Sequence, residues 1–96
     1  MNMRRLDDPE IRAALETLPG WTLREGKLCR EFQFPDFREA FQFMTRVAEI
    51  AEEMNHHPDW RNSYNRVDIE LITHDLDALS PLDVELARRI TGNFQE

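Results

Sequence analysis

The sequence predicts an α+β fold, in which a four-stranded antiparallel sheet carries helices packed on one face, in the order α-β-β-α-β-β-α. Apolar residues recur at helical spacing in three segments and alternate with polar residues in the segments between them. Proline, glycine and helix-capping residues separate these segments. The 96 residues are enough for one domain of two packed layers, spanning residues 1–96.

The first helix is predicted to begin at Asp8-Pro9, where an N-cap residue precedes a proline at the first helical position. Pro19-Gly20 is predicted to end it. Between these two sites, apolar residues at positions i, i+3, i+4 and i+7 form a single stripe: Ile11, Ala14, Leu15 and Leu18.

A β-hairpin is predicted next, with its two strands joined by a tight turn at Glu25-Gly26. Residues of one parity in its second strand are predicted to face the core: Leu28, Phe32 and Phe34. Arg30 has the same parity and interrupts this apolar pattern. Cys29 has the opposite parity and is interpreted as an ordinary small side chain, because a single cysteine cannot close an internal disulfide.

Asp36 and Glu39 have the spacing of a capping box and predict the start of a long second helix. Its apolar residues follow the helical period: Phe37, Ala40, Phe41, Met44, Val47, Ala48, Ala51 and Met54. Phe43 and Ile50 widen this stripe to about half of the helix circumference, more than the ~100° typical of a surface helix. We therefore expect a flank around Phe43, Ile50 and Met54 to be covered by a second copy of the chain or by burial of the whole helix.

His56-His57-Pro58 is predicted to end this helix, because the residue before a proline disfavours the α region. A short strand is predicted over residues 60–63. After Tyr64-Asn65, a clearer strand contains apolar residues that alternate with polar ones: Val67, Ile69 and Leu71. Residues 75–79 are predicted to form a loop.

Ser80-Pro81-Leu82-Asp83 predicts the start of a third helix, with a serine N-cap, a proline in the first turn and an acid at the capping-box position. Four of its residues are expected to face inward: Leu82, Leu86, Ala87 and Ile90. Gly92 is predicted to end this helix.

The charge balance limits the partners that the chain can bind. Twelve Lys and Arg against 19 Asp and Glu give a net charge of −7, which disfavours binding to nucleic acid or to an anionic membrane. No apolar run approaches the ~20 residues of a membrane span, and no signal peptide is evident near the N-terminus. We therefore expect a cytoplasmic protein.

All histidines of the chain lie between positions 56 and 74, and imidazole can act as acid or base near neutral pH: His56, His57 and His74. Glu52 precedes His56 by four residues, and Glu53 precedes His57 by four, so each pair can meet on a helix face. His74 is expected to point away from the buried face if the preceding strand extends that far. Two other interpretations of the same residues are solvated side chains at a frayed helix end and the ligands of a zinc site.

The segment that begins at Glu52 has the sequence E-E-M-N-H-H-P and is followed by Tyr64, His74 and Asp83. This pattern resembles the signature of the pterin-4a-carbinolamine dehydratases, with matching spacings. Trp60, the pairs Tyr64-Asn65 and Leu79-Ser80, and the P-D-F-x-E-A-F-x-F start of the long helix are also similar to the family.

The resemblance implies an enzyme of tetrahydrobiopterin recycling that removes water from a 4a-hydroxytetrahydropterin to give the quinonoid dihydropterin. No redox cofactor or metal is implied. By position, His56 and His74 would be the main acid–base pair, His57 would assist or contact the pterin, and Glu52 would support His56. Asp83 would be the family's final aspartate, although helix capping explains it equally well.

Further implications of the resemblance concern binding. The implied substrate-binding residues are Pro58, Trp60 and Tyr64, although a core role is the favoured interpretation of Trp60 and Tyr64. The implied assembly is a homo-oligomer, a dimer or tetramer built partly through the long helix, with a functional link to an aromatic amino-acid hydroxylase. The alternative is a partner-binding module, a dimerisation cofactor or assembly factor, on the same fold. Leu82 departs from family members that carry a basic residue there, which puts a substrate contact from that position in doubt.

Overall fold

The computed structural model describes residues 3–94 and has the predicted order of elements. These are α1 (Asp8–Glu16), β1 (Thr22–Arg24), β2 (Lys27–Gln33), α2 (Phe37–Met54), β3 (Asp59–Ser63), β4 (Arg66–Leu71) and α3 (Pro81–Gly92). The strands form one antiparallel sheet in the order β1-β2-β4-β3. The predicted fold class is therefore confirmed. No helix within the described range is long and apolar enough to cross a membrane.

The central strands β2 and β4 supply the apolar face of the sheet. Leu28 lies opposite Leu71 and Phe32 lies opposite Val67, so the predicted buried parities of both strands meet on one face. All four side chains are at most 1% exposed. Cys29 lies on the other face, where burial raises the pKa of its thiol.

The exception in the apolar pattern, Arg30, is accommodated at the edge of this core. Its guanidinium donates to the Pro19 carbonyl at 2.6 Å and lies 4.5 Å from the centre of the Phe32 ring and 5.1 Å from that of Phe94. Gly20 passes close to it with φ at +85°, and a Cβ there would lie 2.7 Å from the Arg30 guanidinium. The positive φ favours glycine at position 20, and the absence of a Cβ leaves room for the Arg30 side chain.

Gly20→Ala is expected to lower the free energy of unfolding by about 1–3 kcal/mol, because alanine would be strained at this φ and would displace Arg30. Urea denaturation followed by circular dichroism measures the change. The matched control is Gly92→Ala, where a Cβ would meet nothing within 4 Å and helix propensity favours alanine. Equal effects of the two substitutions would contradict the explanation.

Helix α2 begins at Asp36, whose side chain accepts a hydrogen bond from the Glu39 backbone at 2.9 Å. Within the described chain, the Glu39 side chain does not return a bond, so only half of the predicted capping box forms. The flank around Phe43 and Ile50 is covered by burial within the chain, which is one of the two alternatives expected for it. Phe43 is 0% and Ile50 is 8% exposed, because the sheet and α3 cover that side.

The large exposed apolar side chains of α2 lie in its N-terminal half. Phe37 and Phe41 are 46% and 54% exposed, and their ring centres are 5.7 Å apart. We call this pair the aromatic edge of α2. Met54, which was predicted to belong to the uncovered flank, packs against the core.

Helix α3 begins with the predicted capping box between Ser80 and Asp83. Leu86, Ala87 and Ile90 are buried as expected, whereas Leu82 is only half-buried. Its prediction as an inward residue is therefore wrong, because Leu82 lines a cleft at the end of the sheet.

Helix α1 begins one residue earlier than predicted, because Asp7, not Asp8, is its N-cap. Glu10 completes a capping box with Asp7. A hydrogen bond from the Arg4 guanidinium holds the pKa of Glu10 at about 2, far below its usual value. The acidic cap thus stays ionised over the whole physiological pH range.

Candidate active site

The three imidazoles line one cleft of about 290 Å³ at the end of the sheet. Its lining comes from the C-terminal end of α2, the segment after β4, the first turn of α3 and the N-terminal segment: Met3, Asn55, His56, His57, Ile72, Thr73, His74, Asp75 and Leu82. The volume is near the lower limit of the roughly 300–1,000 Å³ usual for ligand pockets, which suits a small ring system. A larger hollow of about 430 Å³ lies on the open face of the sheet, but its lining contains no histidine.

The end of α2 determines where the adjacent histidines point. Asn55 adopts the left-handed conformation, with φ at 50° and ψ at 43°. Its N–H donates to the Glu52 carbonyl at 3.2 Å, and the His56 N–H donates to the Ala51 carbonyl at 3.0 Å, which is a Schellman motif. The chain therefore leaves the helix before the histidines, and His56 turns inward while His57 stays half exposed.

His56 is held by a buried carboxylate. Its Nε2 lies 2.7 Å from Oδ1 of Asp83, whose side chain is 0% exposed, and the imidazole itself is 11% exposed. Oδ2 of Asp83 accepts hydrogen bonds from the Thr73 hydroxyl at 2.7 Å and from the Ser80 N–H at 2.9 Å. Since a carboxylate only accepts, we assign the proton of the His56–Asp83 contact to Nε2.

The other two imidazoles are also paired through Nε2, at the exposed rim of the cleft. Nε2 of His57 lies 2.6 Å from Oε2 of Glu52, and Nε2 of His74 lies 3.0 Å from Oδ2 of Asp59. Their imidazoles are 54% and 67% exposed. Each histidine thus keeps Nδ1 for other contacts, and water can reach both rim imidazoles.

These pairs differ from the ones expected from sequence. Glu52 contacts His57 and not His56, and Glu53 forms an ion pair with Arg89. The four-residue spacing rule holds only within a helix, and α2 ends at Met54. Asp83 takes the supporting place at His56 that was expected of Glu52.

His74 lies beyond the end of β4 at Leu71, so strand parity does not set its direction. The expectation that its side chain points away from the buried face assumed that β4 extends to residue 74. It is placed instead by a turn, in which the Thr73 N–H donates to the Ala78 carbonyl at 3.0 Å. The first two residues of this turn, His74 and Asp75, therefore line the cleft.

The residues expected to bind substrate do not line the cleft. Trp60 packs against the core, Pro58 is half-buried outside the lining, and Tyr64 is 65% exposed at the β3–β4 turn. A strand rises about 3.3 Å per residue, which places Tyr64 roughly 16 Å from the start of β3.

Sequence reasoning missed Thr73 and Asp59, the partners of Asp83 and His74. Neither residue has a distinctive sequence signal, because the contacts join residues 10 and 15 positions apart that only the tertiary fold brings together. Among residues 3–94, no group of three His, Cys, Asp or Glu side chains could hold a metal ion.

The chain is similar in sequence to known proteins along most of its length. A sequence model of the family described as pterin 4 alpha carbinolamine dehydratase matches residues 4–92. A protein of Synechococcus sp. (strain WH7803), named provisionally as a pterin-4-alpha-carbinolamine dehydratase, is 59% identical over 85 residues, covering 88% of this chain and 91% of its own length. A protein of Burkholderia orbicola (strain MC0-3) with the same provisional name is 54% identical over 92 residues, covering 94% and 90%.

Two solved structures share the fold. A crystal structure from Brucella melitensis, described as a transcriptional coactivator/pterin dehydratase, has a TM-score of 0.91 and 40% sequence identity, and the match covers 94% of this chain and 98% of that one. A pterin dehydratase-like protein described as a RuBisCO assembly factor has a TM-score of 0.63 at 20% identity, covering 76% and 84%. At that identity, the second likeness concerns the fold alone.

Proposed function

This chain belongs to the pterin-4-alpha-carbinolamine dehydratase family, and from that membership we propose that it dehydrates 4a-hydroxytetrahydropterins by histidine acid–base catalysis. The observation that carries the proposal is the meeting of His56, His57 and His74 in one small cleft. Each imidazole is oriented by a carboxylate, which is a common arrangement for general acids and bases.

The proposed reaction needs only proton transfer. The C4a–O bond breaks, and the hydroxyl takes up a proton and leaves as water. N5 loses its proton, and the electrons of the N5–H bond form the N5=C4a double bond of the quinonoid dihydropterin. No electrons leave or enter the substrate, so a group that donates a proton and a group that accepts one are sufficient.

We assign the main acid–base pair to His56 and His74. His56 is nearly buried and fixed by Asp83, so it can face the ring in one orientation. His74 is 67% exposed, and it can exchange its proton with water between turnovers. His57, also at the rim, would assist or contact the pterin.

The test is an absorbance assay for quinonoid product with enzymatically generated 4a-hydroxytetrahydropterin. The double variant His56→Gln, His74→Gln is expected to lower kcat by about 10²-fold or more, because glutamine can donate to the carboxylates but cannot exchange a proton near neutral pH. Tyr64→Phe, outside the cleft, is the control and is expected to keep wild-type activity. A double variant as active as the wild type would refute the proposal.

We also propose that the chain self-associates through the aromatic edge of α2. Two neighbouring phenylalanines about half exposed are unusual on a fully solvated helix, and burial of such rings favours association. The same edge would serve a protein partner, so a partner-binding role is the second candidate function.

Phe41→Asp is expected to lower the mass of the assembly in solution, because a charge at the aromatic edge opposes burial. Light scattering coupled to gel filtration measures the mass. Tyr64→Asp places the same charge at another exposed aromatic position and is expected to leave the mass unchanged. An unchanged mass for Phe41→Asp would show that this edge is not the self-association face.

A further inference from the structure

We propose that Thr73 is a positioning residue, whose hydroxyl holds Asp83 so that His56 keeps its proton on Nε2 and offers Nδ1 to the cleft. This inference rests on the proposed dehydratase function and adds a residue that acts through Asp83. The hydrogen-bond network behind His56 carries it.

The direction of each hydrogen bond in this network follows from its chemistry. The Thr73 hydroxyl must donate to Oδ2 of Asp83, because a carboxylate only accepts. Its single proton is then used, so in the 2.6 Å contact between the two hydroxyls Ser80 is the donor. Oγ of Ser80 in turn accepts from the Leu82 N–H at 3.2 Å. A single chain of donors therefore runs from the α3 backbone to Asp83.

The chain is sheltered from water. Thr73 is 2% exposed, and Ser80 and Asp83 are 0% exposed. In such surroundings hydrogen bonds strengthen one another, and a missing donor is not replaced by solvent. With two donors on Oδ2, the Asp83 carboxylate is fixed with Oδ1 towards His56.

A fixed carboxylate also fixes the state of the imidazole. Within residues 3–94, no buried side-chain nitrogen or oxygen lacks a partner. The side-chain hydrogen bond that His56 makes within that range uses Nε2, so Nδ1 cannot be a buried atom. Because His56 lines the cleft, we infer that Nδ1 is open to the cleft. In neutral His56 the proton on Nε2 leaves Nδ1 as the acceptor, which is the form that can remove a proton from a substrate.

Thr73 can be changed without removing the helix cap. The capping box of α3 consists of Ser80 and Asp83 alone, and Asp83 keeps the Ser80 N–H as a donor. Thr73→Val preserves the side-chain shape and removes only the hydroxyl. Thr91→Val is the matched control, because the Thr91 hydroxyl accepts from the Trp21 indole at 2.8 Å and donates to the Ala87 carbonyl at 2.8 Å, away from the cleft.

The experiment combines ¹⁵N NMR of the imidazole nitrogens with the dehydratase assay. In the wild type, neutral His56 is expected to carry its proton on Nε2. Thr73→Val is expected to give a mixture of the two tautomers and a kcat lower by about 10-fold. Thr73→Ser, which keeps the hydroxyl, is expected to restore both readouts, and Thr91→Val is expected to change neither.

The outcomes separate this inference from the function on which it rests. A Thr73→Val protein with the wild-type tautomer would overturn the positioning role, whatever its activity. An inactive wild type whose tautomer still depends on Thr73 would overturn the dehydratase assignment and support the positioning role. If Thr73→Val does not fold, Thr73→Ala provides the same comparison of tautomers.

Discussion

Asp83→Ala is expected to lower the free energy of unfolding by about 3 kcal/mol or more and to abolish most dehydratase activity. The substitution removes the acceptor for the Ser80 N–H, the Thr73 hydroxyl and the His56 imidazole, all at or near the buried end of the cleft. Buried donors left without partners and the loss of one member of a buried pair each cost energy of this order. Urea denaturation and the product assay measure the two effects.

Glu52→Ala is the matched control for Asp83→Ala. Glu52 also pairs with an imidazole, at 2.6 Å, but its side chain is 77% exposed. Exposed pairs of this kind contribute about 0–1 kcal/mol, so the stability should change little. Equal stability of the two alanine variants would contradict a stabilising role for the buried Asp83 carboxylate.

Phe43→Asp is expected to prevent folding altogether. The Phe43 ring is 0% exposed and lies 4.8 Å from the ring of Phe32 and 5.0 Å from that of Phe34, measured between centres. A charge at this position has no partner, and its burial costs about as much as the whole stability of a small domain, roughly 5–15 kcal/mol. Circular dichroism should show no cooperative unfolding transition.

Phe41→Asp is the control for this substitution, on the same helix and two residues away. Because Phe41 is 54% exposed within one chain, the variant is expected to fold and to keep a cooperative unfolding transition. A folded Phe43→Asp protein would contradict the assignment of α2 to the core through this face.

The order of helices and strands was predictable because its signals are local. The capping box at Ser80 and Asp83, the proline after His57 and the alternation in β4 act within a few residues of the chain. The burial of the Phe43 side of α2 was not predictable in the same way. It depends partly on contacts with α3, which begins almost 30 residues after α2 ends.

The candidate site was likewise predictable only in part. The meeting of His56, His57 and His74 agrees with the motif spacing, but their partners do not follow from it. A left-handed residue at Asn55 ends the helical geometry on which the Glu52–His56 expectation depended. Tyr64 matches the motif in sequence, yet the length of β3 carries it away from the cleft.

The capping aspartate of α3 has a consequence for how the protein responds to heat. The first turn of α3 is buried and capped, since Ser80 and Asp83 are both 0% exposed, and its carboxylate also holds the inner imidazole. Release of the imidazole therefore requires the opening of buried structure, which in a small domain costs close to the free energy of unfolding the whole chain. Thermal inactivation should therefore coincide with the melting transition of the protein.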